Sequence, residues 1–272
     1  MSVPSVPLVN GGNIPQVGLG LWQVTDETLF NDMFDAAIEV GYSHFDTAQI
    51  YRNERLLGAS IKRLNLDRSD LFITTKISPF NFGSHHAPKS FVTSLRDLQT
   101  EYVDLLLLHF PVPLLRKASW KALEKLQQSG QAKHIGVSNY TIRHLENLKR
   151  YATIMPAVNQ VELHVFLQQP QLISYCKTND IVIEAYSPLA HSRDMNNPTI
   201  AKIATKHHKS YAQIMLAWCV SNGLVILPKS KTPSRLRENA DVFDIEFDDS
   251  DKALLLGLNR NLRTIPNPAY VP

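Results

Sequence analysis

The stretch VDLLLLH, residues 103–109, sets four consecutive leucines between an acid and a histidine. A strand with one wet face alternates apolar and polar side chains, whereas an unbroken apolar run needs burial on both faces, the habit of parallel sheets covered by helices. Similar short runs stand on either side of it: DLFITTK (70–76), KHIGVSN (133–139), PAVNQVE (156–162), IVIEAYS (181–187) and LVILPKS (224–230). With two earlier runs the strand count is eight, near Gly18, His44, Phe72, Asp104, Ile135, Val158, Val182 and Val225. Helical patterns separate them. Leu29, Phe30, Met33, Phe34, Ala37 and Ile38 form one face of a helix expected from Asp26 to Val40 and ended by Gly41. A second is expected from Pro88 to Gln99, a third runs through Trp120, Leu123 and Leu126 to about Gly130, and Ser210-Tyr211-Ala212-Gln213 is a capping box ahead of Ile214, Leu216 and Trp218. VPLVNGGNIPQVG (6–18) opens the chain as a hairpin turning at Asn10-Gly11-Gly12. Eight strands with seven helical crossovers and a helical tail predict a (β/α)8 TIM barrel with an N-terminal hairpin, one domain over residues 1–272. A doubly wound open sheet is the alternative, but GLGLWQ (18–23) has Gln23 where the third glycine of a dinucleotide fingerprint belongs.

Composition narrows the function classes. The chain has 272 residues, 44% of them hydrophobic, which suffices for one large core. Its net charge of +3 comes from interspersed acids and bases, a pattern that suits a small anionic ligand rather than a nucleic-acid surface. Cys176 and Cys219 are isolated in apolar helical stretches and are expected as buried reduced thiols. The opening MSVPSVPLVNGG lacks the basic-then-apolar pattern of a leader, and no window reaches the roughly 18 apolar residues of a membrane span, so a cytoplasmic protein is expected. None of the ten histidines forms H-x-H or H-E-x-x-H, which speaks against a metal-dependent hydrolase, and no metal is expected.

The ends of the apolar runs carry the chemistry. In order they are Asp46, Lys76, His109, Ser138-Asn139, Gln160 to Glu162, Tyr186-Ser187 and Lys229-Ser230. In a (β/α)8 barrel all these ends face one mouth, where active sites are built. A phenol is a poor proton donor at neutral pH, but a nearby cation lowers the cost of its phenolate by up to roughly 4 kcal/mol at an effective dielectric of 20. In HFDTAQIY (44–51) Tyr51 follows Asp46 by five residues. Lys76 is placed to supply the cation, Asp46 to anchor it, and a neutral His109 to orient a substrate carbonyl. No side chain donates hydride, so a reduced nicotinamide is required.

Taken together and in this order, GLGLW, GYSHFDTAQIYRNE (41–54), FITTKI, YVDLLLLHFP (102–111), IGVSNY (135–140), PAVNQVELH (156–164), EAYSPL (184–189) and PKSKTPSRLRENADVF (228–243) resemble the aldo-keto reductases over nearly the whole chain. The similarity is greatest to the bacterial 2,5-diketo-D-gluconate reductases, a branch whose members also reduce methylglyoxal. The resemblance implies a (β/α)8 barrel that reduces aldehydes and ketones with NADPH, a tetrad of Asp46, Tyr51, Lys76 and His109 with Tyr51 as proton donor, and a monomer. For the coenzyme it implies Gly20, Leu21, Trp22 and Asp46 at the first two strand ends. Ser138, Asn139 and Gln160 are implied for the carboxamide, Tyr186 to stack on the ring, and Ser187 and Leu189 at the pyrophosphate. Lys229, Ser230 and Arg235 are implied for the 2'-phosphate, with Glu238 and Asn239 near the adenine. A weakly active NADPH-binding regulator on the same fold, or an enzyme working oxidatively, would use the same residues.

The chain departs from the family at two places that bear on substrate. Ser78 and Phe110 stand where many relatives carry tryptophan, so a wider mouth is expected, lined by Trp22, Tyr51, Ser78, Phe80, His109 and Phe110 with Phe82 nearby. The tail RTIPNPAYVP (263–272) is short and proline-rich, and two readings stand for it, a cover over the mouth or a disordered end.

Overall fold

The computed structural model describes residues 3–9, 11–194 and 196–271. The hairpin comes first, β1 (Ser5–Pro7) antiparallel to β2 (Asn13–Pro15), with Val6 opposite Ile14. Gly11 and Gly12 take the left-handed backbone of the turn, at φ 85° and 74°; Asn10, also expected in that turn, lies outside the described residues. Leu8 and Ile14 are buried against Phe72, Leu105, Leu107, Val158 and Val225, so the hairpin closes the amino-terminal end of the barrel.

Eight parallel strands follow in sequence order: β3 (Leu19–Gly20), β4 (His44–Asp46), β5 (Phe72–Ile77), β6 (Val103–Leu108), β7 (Ala132–Ser138), β8 (Val158–Glu162), β9 (Val182–Tyr186) and β10 (Val225–Leu227). A parallel bridge between Val17 and Ile226 joins the last strand to the first, with Gly18 N donating to Ile226 O at 2.9 Å and Ile226 N to Gln16 O at 2.9 Å. This is the closed barrel expected from the sequence, and every residue of β6 is buried, as the leucine run requires.

The helices are α1 (Glu27–Val40), α2 (Glu54–Arg63), α3 (His86–Leu98), α4 (Arg116–Gln128), α5 (Ile142–Lys149), α6 (Pro170–Thr178), α7 (Pro198–His207), α8 (Tyr211–Ser221), α9 (Pro233–Ala240) and α10 (Asp249–Leu256). Local chemistry sets their ends. The Asp26 carboxylate accepts from Leu29 N, and Gly41, at φ 100°, donates to Ala37 O and Ile38 O. Ser210 and Gln213 form the expected capping box of α8. Helix α3 begins two residues before Pro88, which sits in the first turn where its missing N–H leaves no hydrogen bond unmade. Between β9 and β10 the crossover holds two helices, α7 and α8, because Lys209 and Ser210 break the helical run and start it again. Gly58 brings α2 against the end of α3: a methyl group there would fall 2.6 Å from Asp97 O.

Candidate active site

The carboxyl ends of the strands bring Asp46, Tyr51 and Lys76 together. Lys76 is fully buried, and its ammonium donates to both carboxylate oxygens of Asp46 at 2.7 Å and to Thr47 O at 2.9 Å. It also lies 3.4 Å from Tyr51 Oη. Tyr51 is half-buried at the end of the 3-10 turn Gln49–Tyr51. His109, directly after β6, packs edge-on to it, ring centroids 5.6 Å apart at 78°. The His109 backbone N–H donates to Ile77 O at 3.2 Å, while the buried ring Nδ1 has no hydrogen-bond partner.

The electrostatics follow from burial. Burial and then Lys76 push His109 down to about 3, so the imidazole is neutral at physiological pH. For Lys76 burial alone acts downward, but Asp46, Tyr51 and Glu184 together hold it above the ordinary lysine value. Tyr51 corrects the simplest sequence expectation. Burial raises it above the ordinary phenol value, and the lowering by Lys76 offsets only part of that rise. In the resting site the phenol therefore keeps its proton.

Three residues support this arrangement that were not recognised from the sequence as part of the site. Gln49 donates to Ser90 Oγ and Ser94 Oγ on α3, both at 3.1 Å, and its Oε1 accepts from Ser78 N and Asn81 Nδ2 at 2.9 Å. Asn53 is fully buried: its amide donates to Leu21 O at 2.8 Å and Val24 O at 2.9 Å and accepts from Thr47 Oγ1 at 2.6 Å. It thus ties the loop after β3 to the residue whose carbonyl receives Lys76. Glu54, held above the ordinary carboxylate range by burial, accepts from Thr75 Oγ1 at 2.6 Å.

The residues expected around a nicotinamide carboxamide lie on β7, β8 and β9. Asn139, in left-handed backbone at φ 65°, donates from Nδ2 to His109 O at 3.1 Å and Ser138 Oγ at 3.0 Å, and its Oδ1 accepts from Tyr186 Oη at 2.7 Å. Gln160 directs one amide N–H to Asp46 Oδ2 at 2.8 Å and the other to Glu184 Oε2 at 2.5 Å. Its Oε1 accepts no described hydrogen bond, which suits a carboxamide NH2. Beyond β10, Ser230 caps its own loop by accepting from Thr232 N at 3.0 Å, while Lys229, in the loop before α9, and Arg235, in the first turn of α9, are exposed. Two exposed cations and a hydroxyl at a helix N-terminus fit a phosphate dianion. Glu238 and Asn239 lie further along α9, half-buried and buried. Lys229 Nζ also donates to Trp22 O at 3.2 Å, and Trp22 meets His191 edge-on at 6.1 Å, beside Ser187, whose hydroxyl is 2.9 Å from His191 Nε2. Leu189 is half-buried against the core. The amides, hydroxyls, aromatic ring and two cations at the ends of β7 to β10 are of the kinds that hold an NADPH molecule. Gly20 N donates to Pro228 O at 3.2 Å, and the Leu21 side chain is wholly in the core, so only its backbone faces the loop.

The expected substrate wall divides. Phe80 is 92% exposed and Trp22 43%, both at the mouth, and Phe110 is half-buried beside His109. Phe82 is instead a core residue, 3% exposed, because the turn Pro79–Asn81 carries the chain back toward α3. Ser78 is 4% exposed, and its hydroxyl accepts from Phe80 N at 3.3 Å, so it shapes the loop that presents Phe80. In the loop after β6, Leu114 is 97% exposed and Leu115 44%. The tail is fastened beside β8. Thr264 donates from N and Oγ1 to Glu162 Oε1, each at 2.6 Å, and His144 Nε2 is 3.0 Å from Val271 O. Among the described residues no three His, Cys, Asp or Glu side chains form a group that could hold a metal ion, and no helix is long and apolar enough to cross a membrane.

Known proteins share this plan. The profile of the Aldo/keto reductase family matches residues 16–260. The chain is 42% identical over 264 residues to the glyoxal reductase of Bacillus subtilis, covering 97% of this chain and 96% of that protein. It is 38% identical over 273 residues to the methylglyoxal reductase DkgA of Escherichia coli K12, covering 98% of each. Among solved structures, an aldo-keto reductase of the silkworm Bombyx mori (AKR2E5), complexed with NADPH, superposes with a TM-score of 0.94 at 34% identity, covering 97% of this chain and 90% of that one. The family match and the relatives span nearly the whole of the barrel and its mouth: the chain belongs to the aldo/keto reductase family.

Proposed function

We propose that the protein reduces aldehydes and ketones to alcohols with NADPH, and that Tyr51 delivers the proton. The observation that carries this reading is the fully buried Lys76 ammonium, fixed by Asp46 at 2.7 Å and standing 3.4 Å from the Tyr51 hydroxyl. Bound NADPH supplies hydride to the carbonyl carbon. As that carbon gains the electron pair, its oxygen becomes an alkoxide, a far stronger base than phenolate, and takes the Tyr51 proton. The phenolate left behind faces Lys76, an attraction of about 5 kcal/mol at this separation and an effective dielectric of ~20. Asp46 keeps the ammonium from wandering. Neutral His109 donates a hydrogen bond to the same oxygen and fixes its direction. Tyr51 regains its proton from solvent after the alcohol leaves.

For the coenzyme, Ser138, Asn139 and Gln160 would hold the carboxamide, Tyr186 would cover the ring, and Lys229, Ser230 and Arg235 would hold the 2'-phosphate. Asn139 fixes the Tyr186 hydroxyl at 2.7 Å, which holds the aromatic ring at one angle. Substrates are small dicarbonyls such as methylglyoxal, keto sugars such as 2,5-diketogluconate, and β-keto esters. The relatives named for glyoxal and methylglyoxal support the first class. We propose a monomer, and the buried thiols Cys176 and Cys219 suit the reducing cytoplasm.

The test is NADPH oxidation over a panel of methylglyoxal, 2,5-diketogluconate, β-keto esters and benzaldehydes. Reduction of several members, with dicarbonyls among the best by kcat/KM, is expected. Tight NADPH binding with no turnover on any member would point to a binding protein instead.

A further inference from the structure

Beneath the tetrad lies a carboxyl group to which the mechanism gives no part. Glu184, on β9, is wholly buried. Its Oε2 accepts from Gln160 Nε2 at 2.5 Å, and the other N–H of that amide reaches Asp46 Oδ2 at 2.8 Å. Its Oε1 has no hydrogen-bond partner and lies 3.4 Å from Nε2 of His44, which is also wholly buried. His44 Nδ1 faces Pro15 O at 3.3 Å, an acceptor, so Nδ1 carries the ring proton and Nε2 presents a lone pair when the ring is neutral. Gly18 makes room for this ring, since a methyl group there would fall 2.6 Å from His44 Nδ1.

Counting charges decides the protonation. β4 brings His44 and Asp46, and β5 brings Lys76 together with Thr74, whose hydroxyl is 3.1 Å from His44 Nε2. β8 brings the neutral Gln160, and β10 offers Val225, Ile226 and Leu227, which carry no charge. Tyr51 lies within reach of the Glu184 charge, and Asp104 within reach of His44. One ammonium, already held by Asp46, cannot neutralise two buried carboxylates. An ionised Glu184 would also set its bare Oε1 against the His44 lone pair.

We propose that Glu184 and His44 are an acid pair sharing one proton, and that they act as positioning residues which fix Gln160 and Asp46 while the pair is neutral. This rests on the roles given above to Gln160 and the tetrad. With both amide N–H groups engaged by carboxyls, Gln160 can offer its carboxamide partner only an acceptor, so Glu184 sets which way round the amide sits. Loss of the shared proton puts a second negative charge under the Lys76–Tyr51 pair. That charge makes Tyr51 a weaker acid and favours the cationic ring of NADP+ over the neutral ring of NADPH. Burial, then Asp46, pushes Glu184 up to about 8, and burial pushes His44 down to about 4, which puts the shared proton on Glu184 at neutral pH.

The test compares wild type, Glu184→Ala and Glu184→Gln. Gln imitates the neutral acid, with its Oε1 toward Gln160 and its NH2 toward His44, and cannot ionise. At about pH 6.5, Ala is expected to lower kcat at least tenfold, with Gln restoring most of that loss. Between about pH 7 and 9 the ratio of NADPH to NADP+ dissociation constants, read by coenzyme and tryptophan fluorescence, should rise at least threefold in wild type and stay flat in Glu184→Gln. Gln failing as badly as Ala at the lower pH would show that an ionised carboxylate is needed, and the idea falls. It falls also if the two fluorescence titrations superimpose across pH. The binding arm needs no turnover, so it decides the matter even if no carbonyl is reduced. If Glu184→Ala does not fold, wild type against Glu184→Gln decides alone.

Discussion

Lys76 Nζ stands 3.4 Å from Tyr51 Oη while the lysine side chain is wholly buried, so the phenol faces a cation that water does not screen. Among the described residues, Lys76 is the cation that lowers Tyr51. It also explains why the phenol stays protonated at rest: burial raises it, and the lysine reduces the rise without reversing it. In the proposed mechanism the ammonium matters in the transition state, where phenolate character appears, more than in the ground state.

His109 gives a pH prediction. Its folded value of about 3 lies well below the ordinary 6.5, so the imidazole stays neutral through the mildly acid range. kcat/KM should show no acid limb attributable to this residue from pH 7 down to about 5. Linkage has a definite sign here. The unfolded chain binds a proton near 6.5 that the folded chain refuses until about 3, so stability is lost as pH falls through that window. NMR titration of the His109 ring in wild type, against His109→Gln, checks the assignment, and a midpoint near 6.5 would contradict it.

A second prediction concerns Lys229, Ser230 and Arg235, proposed above to hold the 2'-phosphate. NADPH should bind at least tenfold more tightly than NADH, since charge-assisted hydrogen bonds contribute roughly 1.5–3 kcal/mol each. Tryptophan-quenching titrations should show the gap narrowing in Arg235→Ala. Equal affinities in wild type, or an unchanged gap in the variant, would make the exposed basic residues an ordinary solvated surface.

Asn53→Ala should destabilise the fold by about 2–3 kcal/mol, because it leaves the buried carbonyls of Leu21 and Val24 and the Thr47 hydroxyl without a partner. Urea denaturation measures this. The loop after β3 is then free to move, so KM for NADPH should rise as well. A change under 0.5 kcal/mol, taken as roughly the scatter of surface substitutions, would show that these bonds are replaced by others.

At the mouth, Phe80 now carries the substrate prediction that sequence alone placed on Ser78. Phe80→Ala should lower kcat/KM for a bulky aromatic or β-keto ester at least tenfold, about 1.4 kcal/mol of transition-state binding, and leave methylglyoxal nearly unchanged. Equal effects on both substrates would remove Phe80 from the wall. Ser78→Trp should instead disturb the loop itself, since the serine side chain is buried under its own turn.

These cases show what the sequence could convey. The barrel was legible because its signals are local. The leucines of β6 have to be buried on both faces, Gly41 ends α1, and Ser210 with Gln213 starts α8. The gathering of Asp46, Tyr51 and Lys76 was legible because strand ends in a closed barrel share one mouth. Contacts between distant segments were not. Gln49 meets Ser90 and Ser94 across some forty residues, and Gln160 bridges Glu184 to Asp46, so no spacing rule finds them. Phe82 and Ser78 were misplaced for a related reason. Which side of a loop faces the mouth depends on a single turn, Pro79–Asn81, whose direction is set by Gln49 from another loop.

The most direct measurement is carbonyl-dependent NADPH oxidation by wild type and Tyr51→Phe side by side, with NADPH affinity measured on both. Wild type should consume NADPH one for one with carbonyl. Tyr51→Phe should bind NADPH within a few fold of wild type while its kcat falls by roughly two orders of magnitude or more, the loss expected for a positioned acid. Turnover by Tyr51→Phe at the wild-type rate would contradict proton delivery from this residue and, with it, the mechanism.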